Sequence, residues 1–129
     1  MSSGNVEAVR RGLAMFERAD VEGGLRLLCS DAEWDVSEMP GGGIYRGHDD
    51  IRAYWEHLYS DVWERMAMAI EQILDGGDTV VALVRFQALG RGSGAPVDVP
   101  VAWVVRFGDG CMKSVKFSFD REDAVQPVR

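Results

Sequence analysis

Few side chains in this sequence stand in patterns that support chemistry. The two histidines, His48 and His57, have no serine, cysteine or aspartate partner at a spacing that indicates a nucleophilic triad. Arg85 interrupts the apolar run at 80–84 and precedes Phe86, so its strand is predicted to be at least half buried. A guanidinium there could stabilise an oxyanion, or it could pair with a carboxylate on a neighbouring strand. The sequence leaves both roles open.

Two carboxylates, Glu38 and Asp120, lie next to predicted strands. Because side chains alternate along a strand, Glu38 falls on the same face as Trp34 and Val36 if the strand continues to it. It can then act as a proton acceptor beside apolar neighbours, or it can be an ordinary loop carboxylate. Asp120 precedes a predicted final turn at 121–126 and is typical of a helix N-cap.

Composition and charge limit the class of protein. The 129 residues are enough for one core, so residues 1–129 are predicted to form a single domain. A net charge of −7 argues against a nucleic-acid partner, because no basic face could dominate such a surface. No apolar run approaches the ~20 residues of a membrane span, and the N-terminus lacks a signal core. A cytoplasmic protein without membrane contact is therefore expected.

The two cysteines, Cys29 and Cys111, do not make a disulfide framework, and nothing near them has the spacing of zinc ligands. They are interpreted as two small buried thiols. Neither a metal ion nor an organic cofactor is expected.

Helical periodicity predicts three helices in the first half of the chain. The first covers 6–19, with Asn5 as its N-cap. A second, shorter helix follows Asp20, and a third follows Gly47, where acidic residues favour the helix N-terminus.

In the strand regions, apolar and polar residues alternate with a period of two. A first strand is predicted at 32–37, and four more follow the third helix at 66–74, 79–90, 97–108 and 111–120. Glycine-containing turns separate these four later strands from one another, which predicts hairpins and an antiparallel sheet. The predicted order is ααβαββββ, an α+β fold.

Five short sequence segments resemble those of a known family. They are Ala19-Asp-Val-Glu-Gly23, Ser30-Asp-Ala-Glu-Trp34, Tyr45-Arg-Gly-His-Asp-Asp-Ile-Arg52, Gly90-Arg-Gly-Ser-Gly94 and Trp103-Val-Val-Arg-Phe-Gly-Asp-Gly110. Together with the element order they resemble the SnoaL-like family, relatives of ketosteroid isomerase and of nuclear transport factor 2. The resemblance implies a cone-shaped barrel, in which three helices pack on a curved antiparallel sheet around an apolar cavity.

The catalytic groups known in that family are missing here. By the resemblance, Val36 occupies the position of the isomerase's catalytic base, Gly12 that of its tyrosine and Trp103 that of its protonated acid. The acid of the polyketide cyclases falls on Phe117. The resemblance therefore implies the fold and leaves the reaction open.

An aromatic pocket wall is predicted from the alternation of the strands. Its members either contact a flat apolar ligand or simply fill the core. The residues predicted to bind a ligand are Trp34, Val36, Tyr54, Trp55, Trp103, Phe117 and Phe119.

The sequence supports two functions of different classes. The first is an enzyme acting on a small lipophilic molecule by cofactor-free acid–base chemistry: an isomerase, cyclase, dehydratase or epoxide hydrolase. Glu38 would accept the proton and Arg85 would steady an oxyanion. The alternative is a non-catalytic dimeric domain for ligand binding or protein contact. A homodimer is expected in either case, because a curved sheet on a short chain leaves one broad face that helices cannot cover.

Overall fold

The computed structural model describes residues 2–129, and their element order is ααββαββββα, which confirms the α+β class. The helices are α1 Ser2–Glu17, α2 Val21–Leu27, α3 Gly47–His57 and α4 Arg121–Ala124, with a π-helical turn at Leu58–Val62 and a 3₁₀ turn at Gln126–Val128. The strands are β1 Leu28–Asp35, β2 Ile44–Arg46, β3 Trp63–Asp75, β4 Thr79–Gly90, β5 Pro96–Gly108 and β6 Cys111–Ser118.

The strands form one sheet in the order β2-β1-β6-β5-β4-β3. Hairpins make the β3–β4, β4–β5 and β5–β6 pairs antiparallel, as expected. β1 and β6 instead run parallel, with Trp34 opposite Val115, so the expectation of a wholly antiparallel sheet is wrong. A long connection joins these two strands rather than a hairpin, and such a connection does not fix their direction.

The short strand β2 is not predicted from the sequence. It pairs with β1, so that Tyr45 lies opposite Trp34. Three residues after a glycine-rich loop carry too little alternation to indicate a strand. Gly47 follows with a φ of 80°, a left-handed conformation that lets the chain turn directly from β2 into α3.

The helix ends agree with the sequence at Asp20 and differ at Asn5. The side chain of Asp20 accepts a hydrogen bond of 2.9 Å from the Gly23 amide and caps α2. Asn5 is not an N-cap, because α1 already begins at Ser2. Its side chain instead donates to the Gly77 carbonyl at 2.8 Å, which ties α1 to the β3–β4 turn.

Both faces of the sheet bury apolar side chains. The inner face packs against the first three helices, and β4 contributes Val80, Ala82, Val84, Phe86 and Ala88 to this main core. On the outer face, Ala124 and Val125 of the C-terminal segment pack on Val81 and Val104.

Arg121 fastens the C-terminal segment to the outer face. Its guanidinium donates to the carbonyls of Val84 and Val101, at 2.7 and 3.2 Å, and contacts the carboxylate of Glu71. The C-terminal segment therefore covers part of the face that the sequence analysis expects the helices to leave uncovered. Asp120 caps the short helix by accepting from the Asp123 amide, as predicted.

Cys29 and Cys111 form a disulfide, so the interpretation as two free thiols is wrong. The parallel β1–β6 pair brings their Cα atoms within 5.1 Å, although 82 residues separate them along the chain. That proximity depends on the parallel β1–β6 pairing, which the sequence does not predict. Disulfides are typical of oxidising compartments, so the bond counts against the expected cytoplasmic location.

We expect reduction of this disulfide to lower the free energy of unfolding by about 2–4 kcal/mol, because the reduced unfolded chain gains conformational freedom over a long loop. Urea denaturation followed by circular dichroism, with and without reductant, measures the change. The double variant Cys29→Ser/Cys111→Ser is the control, and its midpoint should not respond to reductant. Two results together would contradict the disulfide: a denaturation midpoint of the native protein that reductant does not change, and alkylation of both cysteines before any reductant is added.

Candidate ligand pocket

Four large aromatic side chains meet on the inner face of the sheet, and we call them the aromatic cluster: Phe16 of α1, Trp34 of β1, Trp55 of α3 and Trp103 of β5. The ring centroid of Trp34 lies 4.9 Å from that of Trp55 and 5.2 Å from that of Trp103. Phe16 lies 5.6 to 6.1 Å from each of the three indole rings. The cluster thus joins two helices to two strands that are not neighbours.

The helix packing around Trp55 depends on a residue without a side chain. A Cβ atom on Gly24 of α2 would come within 2.9 Å of the six-membered ring of Trp55. Only glycine lets α2 approach α3 this closely. The local sequence Gly23-Gly24, which weakens helix propensity, is explained by this contact.

Cavity 1 lies between the first three helices and the inner face of the sheet. Its volume is about 40 Å³. This is smaller than the ~150 Å³ cavity that takes up benzene, so a six-membered ring would enter only with displacement of the surrounding side chains. The cavity is lined by Val9, Gly12, Leu13, Phe16, Asp20, Gly24, Leu27, Leu28, Trp34, Trp55, Tyr59, Trp103, Val105, Met112 and Val115.

Cavity 2 continues from cavity 1 on the other side of the cluster. The two share Phe16, Trp34 and Trp103 as common walls. Cavity 2 is smaller, about 20 Å³ by the same measure, and its other lining residues are Val36, Met39, Tyr54, Leu58, Trp63, Met66, Met68, Phe86 and Phe117.

Three indole nitrogens of the cluster are buried without a hydrogen-bond partner. They are the Nε1 atoms of Trp34, Trp55 and Trp103. A buried donor left unpaired costs about 1–3 kcal/mol. Apart from the tryptophans, the polar residues that line the two cavities are Tyr54, Tyr59 and Asp20.

Tyr59 separates cavity 1 from a surface cleft that it also lines. Its hydroxyl donates a hydrogen bond of 2.9 Å to the Phe16 carbonyl at the end of α1. Burial, and secondarily the charge of Asp20, raises the pKa of Tyr59. Burial likewise raises the pKa of Tyr54 in cavity 2 to about 12, with a smaller contribution from Tyr45. Both hydroxyls therefore stay protonated at neutral pH and can act as donors.

Asp20 is the one carboxylate in the lining of cavity 1. One of its oxygens caps α2 through the Gly23 amide. The other lies 3.8 Å from the guanidinium of Arg18, and the side chain is 38% exposed. Asp20 thus stands where the cavity meets solvent, with one oxygen available to a ligand.

Six of the seven residues predicted to bind a ligand line one of the cavities. Trp34, Trp55 and Trp103 line cavity 1, while Val36, Tyr54 and Phe117 line cavity 2. Phe119 lines neither: β6 ends at Ser118, and the Phe119 ring is 43% exposed with its edge against Phe117.

The predicted catalytic residues Glu38 and Arg85 do not meet in either cavity. Arg85 lies on the outer face of the sheet and binds the carboxylate of Asp98 at 2.6 Å. Glu38 accepts from the Phe119 amide at 3.1 Å and from the Ser118 hydroxyl at 3.3 Å. The expectation that they converge on one substrate is wrong, because each is already paired on the surface.

Phe16, Tyr59 and Asp20 are pocket residues that sequence reasoning does not single out. The first two do stand on the apolar faces predicted for their helices, so the helical period already indicates that they point inward. Nothing local distinguishes Asp20 from an ordinary cap, since its position at the cavity depends on how α2 packs against the sheet.

Metal and membrane sites are not found in the described part of the chain. Among residues 2–129, no group of three or more His, Cys, Asp or Glu side chains could hold a metal ion. None of the helices described is both long enough and apolar enough to cross a bilayer.

Comparison with known proteins identifies the fold. The sequence profile of the SnoaL-like domain family matches residues 9–115. No curated protein matches the chain in sequence. An NTF2-like protein of unknown function from Burkholderia pseudomallei K96243 is 24% identical, with 96% of each chain covered and a TM-score of 0.79.

Two similar structures contain small molecules. TerC, co-crystallised with polyporic acid, is 23% identical over 96% of this chain and 97% of that chain, with a TM-score of 0.77. A hypothetical protein with a ketosteroid isomerase-like fold from Catenulispora acidiphila DSM 44928, in complex with trimethylamine, is 16% identical over 95% and 92%, also with a TM-score of 0.77. At these identities the likeness establishes the fold.

Proposed function

The chain belongs to the SnoaL-like domain family, and from that premise we propose that it binds a small, apolar, ring-shaped molecule in the pocket formed by cavities 1 and 2. The observation that carries the proposal is the empty space beside the aromatic cluster, which is walled almost entirely by apolar side chains. Interiors are normally filled to crystal-like density. A single ring that filled cavity 1 would gain on the order of 1.5–3 kcal/mol from removal of apolar surface from water.

Binding explains the pocket better than the catalytic mechanism expected from the sequence. Arg85 and Glu38 are engaged elsewhere, and the tyrosines Tyr54 and Tyr59 stay protonated. Small molecules in TerC and in the Catenulispora protein are compatible with a ligand in this fold. Because relatives this distant share only the fold, the nature of the ligand rests on the residues of this chain.

Gly12 offers a direct test, since it lines cavity 1 from α1. A Cβ atom there would stand 3.5 Å from Leu27 and 3.6 Å from Met112, which is ordinary contact. Replacing glycine inside a helix adds up to about 1 kcal/mol of helix stability, and thermal unfolding of Gly12→Leu checks that its remaining side-chain atoms are accommodated. Its larger side chain fills the cavity, and we expect benzene affinity, measured by NMR titration, to fall more than tenfold. Gly12→Ala should give a smaller loss.

The matched control is Gly4→Leu, because Gly4 lies in the same helix and no atom stands within 4 Å of a Cβ built there. This variant should bind benzene like the native protein. Native protein that takes up no benzene, or a Gly12→Leu variant that binds it unchanged, would contradict the proposed pocket.

Acid–base catalysis on the bound molecule is a second candidate function, and Asp20 is the observation that favours it. Asp20 is the carboxylate of cavity 1, and it retains one oxygen outside the helix cap. A carboxylate in that position could take a proton from carbon next to a carbonyl of the ligand.

Exchange of the α-protons of cyclohexanone in D₂O measures this activity. If Asp20 is the base, native protein accelerates the exchange, and Asp20→Asn reduces the acceleration by about 100-fold. Asparagine caps helices as well as aspartate does, so unfolding should change little and serves as the control. Exchange at the uncatalysed rate in the native protein would leave binding as the function.

We further propose that the chain forms a homodimer through the uncovered part of the outer face. The C-terminal segment covers the side of the sheet near Val81 and Val104. It contacts β3 at Glu71 and Leu74. The exposed Ala69 of β3 stands opposite Arg85 of β4, and we propose that this part of the face is the interface. Pairing of two copies there would shield both the strand backbone and the Arg85–Asp98 ion pair.

Light scattering at tens of micromolar is expected to give twice the mass of the chain. Ala69→Asp should shift the protein towards monomer, because it places a charge at the centre of the interface. Ala14→Asp, on an exposed position of α1, is the control and should remain dimeric. A native protein with the mass of one chain would contradict the dimer.

A further inference from the structure

We infer that the Cys29–Cys111 disulfide is a redox-active site that regulates cavity 1. Its reduction by a dithiol releases the part of the wall that the bond fixes, so that a ring-shaped ligand enters more easily. The inference rests on the proposed function and adds a regulation of the same pocket. It assigns the disulfide a role beyond the stability that a cross-link over a long loop provides.

The disulfide lies at a large irregularity of the sheet. Leu28 of β1 pairs with Met112 of β6, and the next registered pair is Glu33 with Ser114. Four residues of β1 therefore face a single residue of β6. Residues in such a bulge are left out of the strand ladder. Their position depends on contacts other than strand pairing, and the bond from Cys29 is the covalent one among these.

The bulge reaches cavity 1 through the residues next to the two cysteines. Leu28 and Met112 both line that cavity, and each is the immediate neighbour of a cysteine in the chain. A Cβ atom on Gly12 of α1 would stand 3.6 Å from the end of the Met112 side chain, so this part of the wall faces the helix directly. Separation of the two cysteines therefore gives two side chains of the wall more freedom to move.

The small size of cavity 1 makes the mobility of this wall important. Its volume of about 40 Å³ is well below the ~150 Å³ of a cavity that takes up benzene, so surrounding groups must move to admit a ring. In the oxidised protein the helix side yields, while the bond holds the sheet side at the bulge. In the reduced protein both sides can yield, which lowers the free energy needed to make room.

The bond is accessible to a reductant and can form again. Cys29 is 7% exposed, whereas Cys111 is partly exposed and begins β6 directly after the β5–β6 turn. Disulfides that solvent reaches are generally the labile ones. The sulfur atoms of Cys29 and Cys111 lie 3.6 and 3.4 Å from the Gly108 carbonyl oxygen. After reduction, both thiols can donate weak hydrogen bonds to that oxygen, which keeps them close together for reoxidation.

Reduction proceeds by thiol–disulfide exchange. The thiolate of a dithiol such as dithiothreitol attacks Cys111 Sγ, the S–S bond breaks, and Cys29 leaves as a thiolate that takes up a proton. The second thiol of the reductant then attacks the mixed disulfide, which releases Cys111 and closes the reductant into its own disulfide. Two electrons and two protons thus pass to the protein. The sequence contains no third cysteine, so no other pairing competes.

The test measures benzene affinity by NMR titration of the oxidised protein and of the protein kept in dithiothreitol. We expect reduction to raise the affinity at least about fivefold, the lower end of the usual coupling between two sites. The methyl signals of Leu28 and Met112 should shift on reduction even without benzene. The methyl signal of Met68, which lines cavity 2, is the control and should stay in place. Circular dichroism checks that the reduced protein remains folded.

The double variant Cys29→Ser/Cys111→Ser keeps the wall permanently in the state without the bond. It should bind benzene as tightly as the reduced native protein does. Dithiothreitol should not change its affinity, which shows that the reductant acts on the native protein through this bond.

The outcomes separate this inference from the proposed function. Benzene affinity that is equal in the two redox states, or weaker after reduction, overturns the regulation and leaves the pocket standing. Failure of dithiothreitol to release both thiols, counted by alkylation, also overturns it. Unfolding on reduction overturns it as well, because the bond would then hold the fold as a whole. A protein that binds no benzene in either state overturns the pocket and the regulation together.

Discussion

The position of the helices on the sheet depends on the packing of Phe16 among the three indole rings of the aromatic cluster. Its ring lies against Trp34, Trp55 and Trp103, and also 5.7 Å from Tyr59. Each such ring pair adds about 0.5–1.5 kcal/mol to the burial of area. Hydrogen bonds from α1 to the rest of the fold lie towards its two ends, where Asn5 donates to the Gly77 carbonyl and the Phe16 carbonyl accepts from Tyr59. One residue of α1 therefore does most to determine where cavity 1 lies.

The same cluster keeps the pocket from closing. Flat, rigid rings that meet at angles of 37° to 81° leave space between them, whereas branched aliphatic side chains would interdigitate. The indole nitrogens add a further energetic cost, because they are withdrawn from water and receive no protein acceptor. A core selected only for stability would contain leucine or phenylalanine in their place. The space that the rings leave unfilled is what a ligand would occupy.

The sequence predicts which side chains lie on the inner face of the sheet. It does not predict the features that depend on contacts between residues far apart in the chain. Alternation places Trp34 and Trp103 inward correctly, since β1 and β5 each show a polar and an apolar side. Alternation does not indicate the face of the sheet on which Arg85 lies. The C-terminal segment covers part of the outer face, so β4 is apolar on both sides. The disulfide and the cavity position of Asp20 are likewise invisible, as each depends on the pairing of β1 with β6 or on the packing of α2.

The two sides of the pocket are held by different kinds of interaction. On the sheet side, Leu28 and Met112 both line cavity 1 and stand opposite each other in the β1–β6 pair, whose register shifts beyond Leu28. The Cys29–Cys111 disulfide lies directly beside them and fixes this irregular part of the wall covalently. On the helix side, α1 and α3 are held by side-chain contacts, which yield more easily than strand pairing. A ligand that enlarges the pocket would therefore displace the helices, while Trp34 and Trp103 stay in place on the sheet. The helix side of the pocket can thus adapt to the shape of a ligand, whereas the sheet side presents the same rigid apolar surface to every ligand.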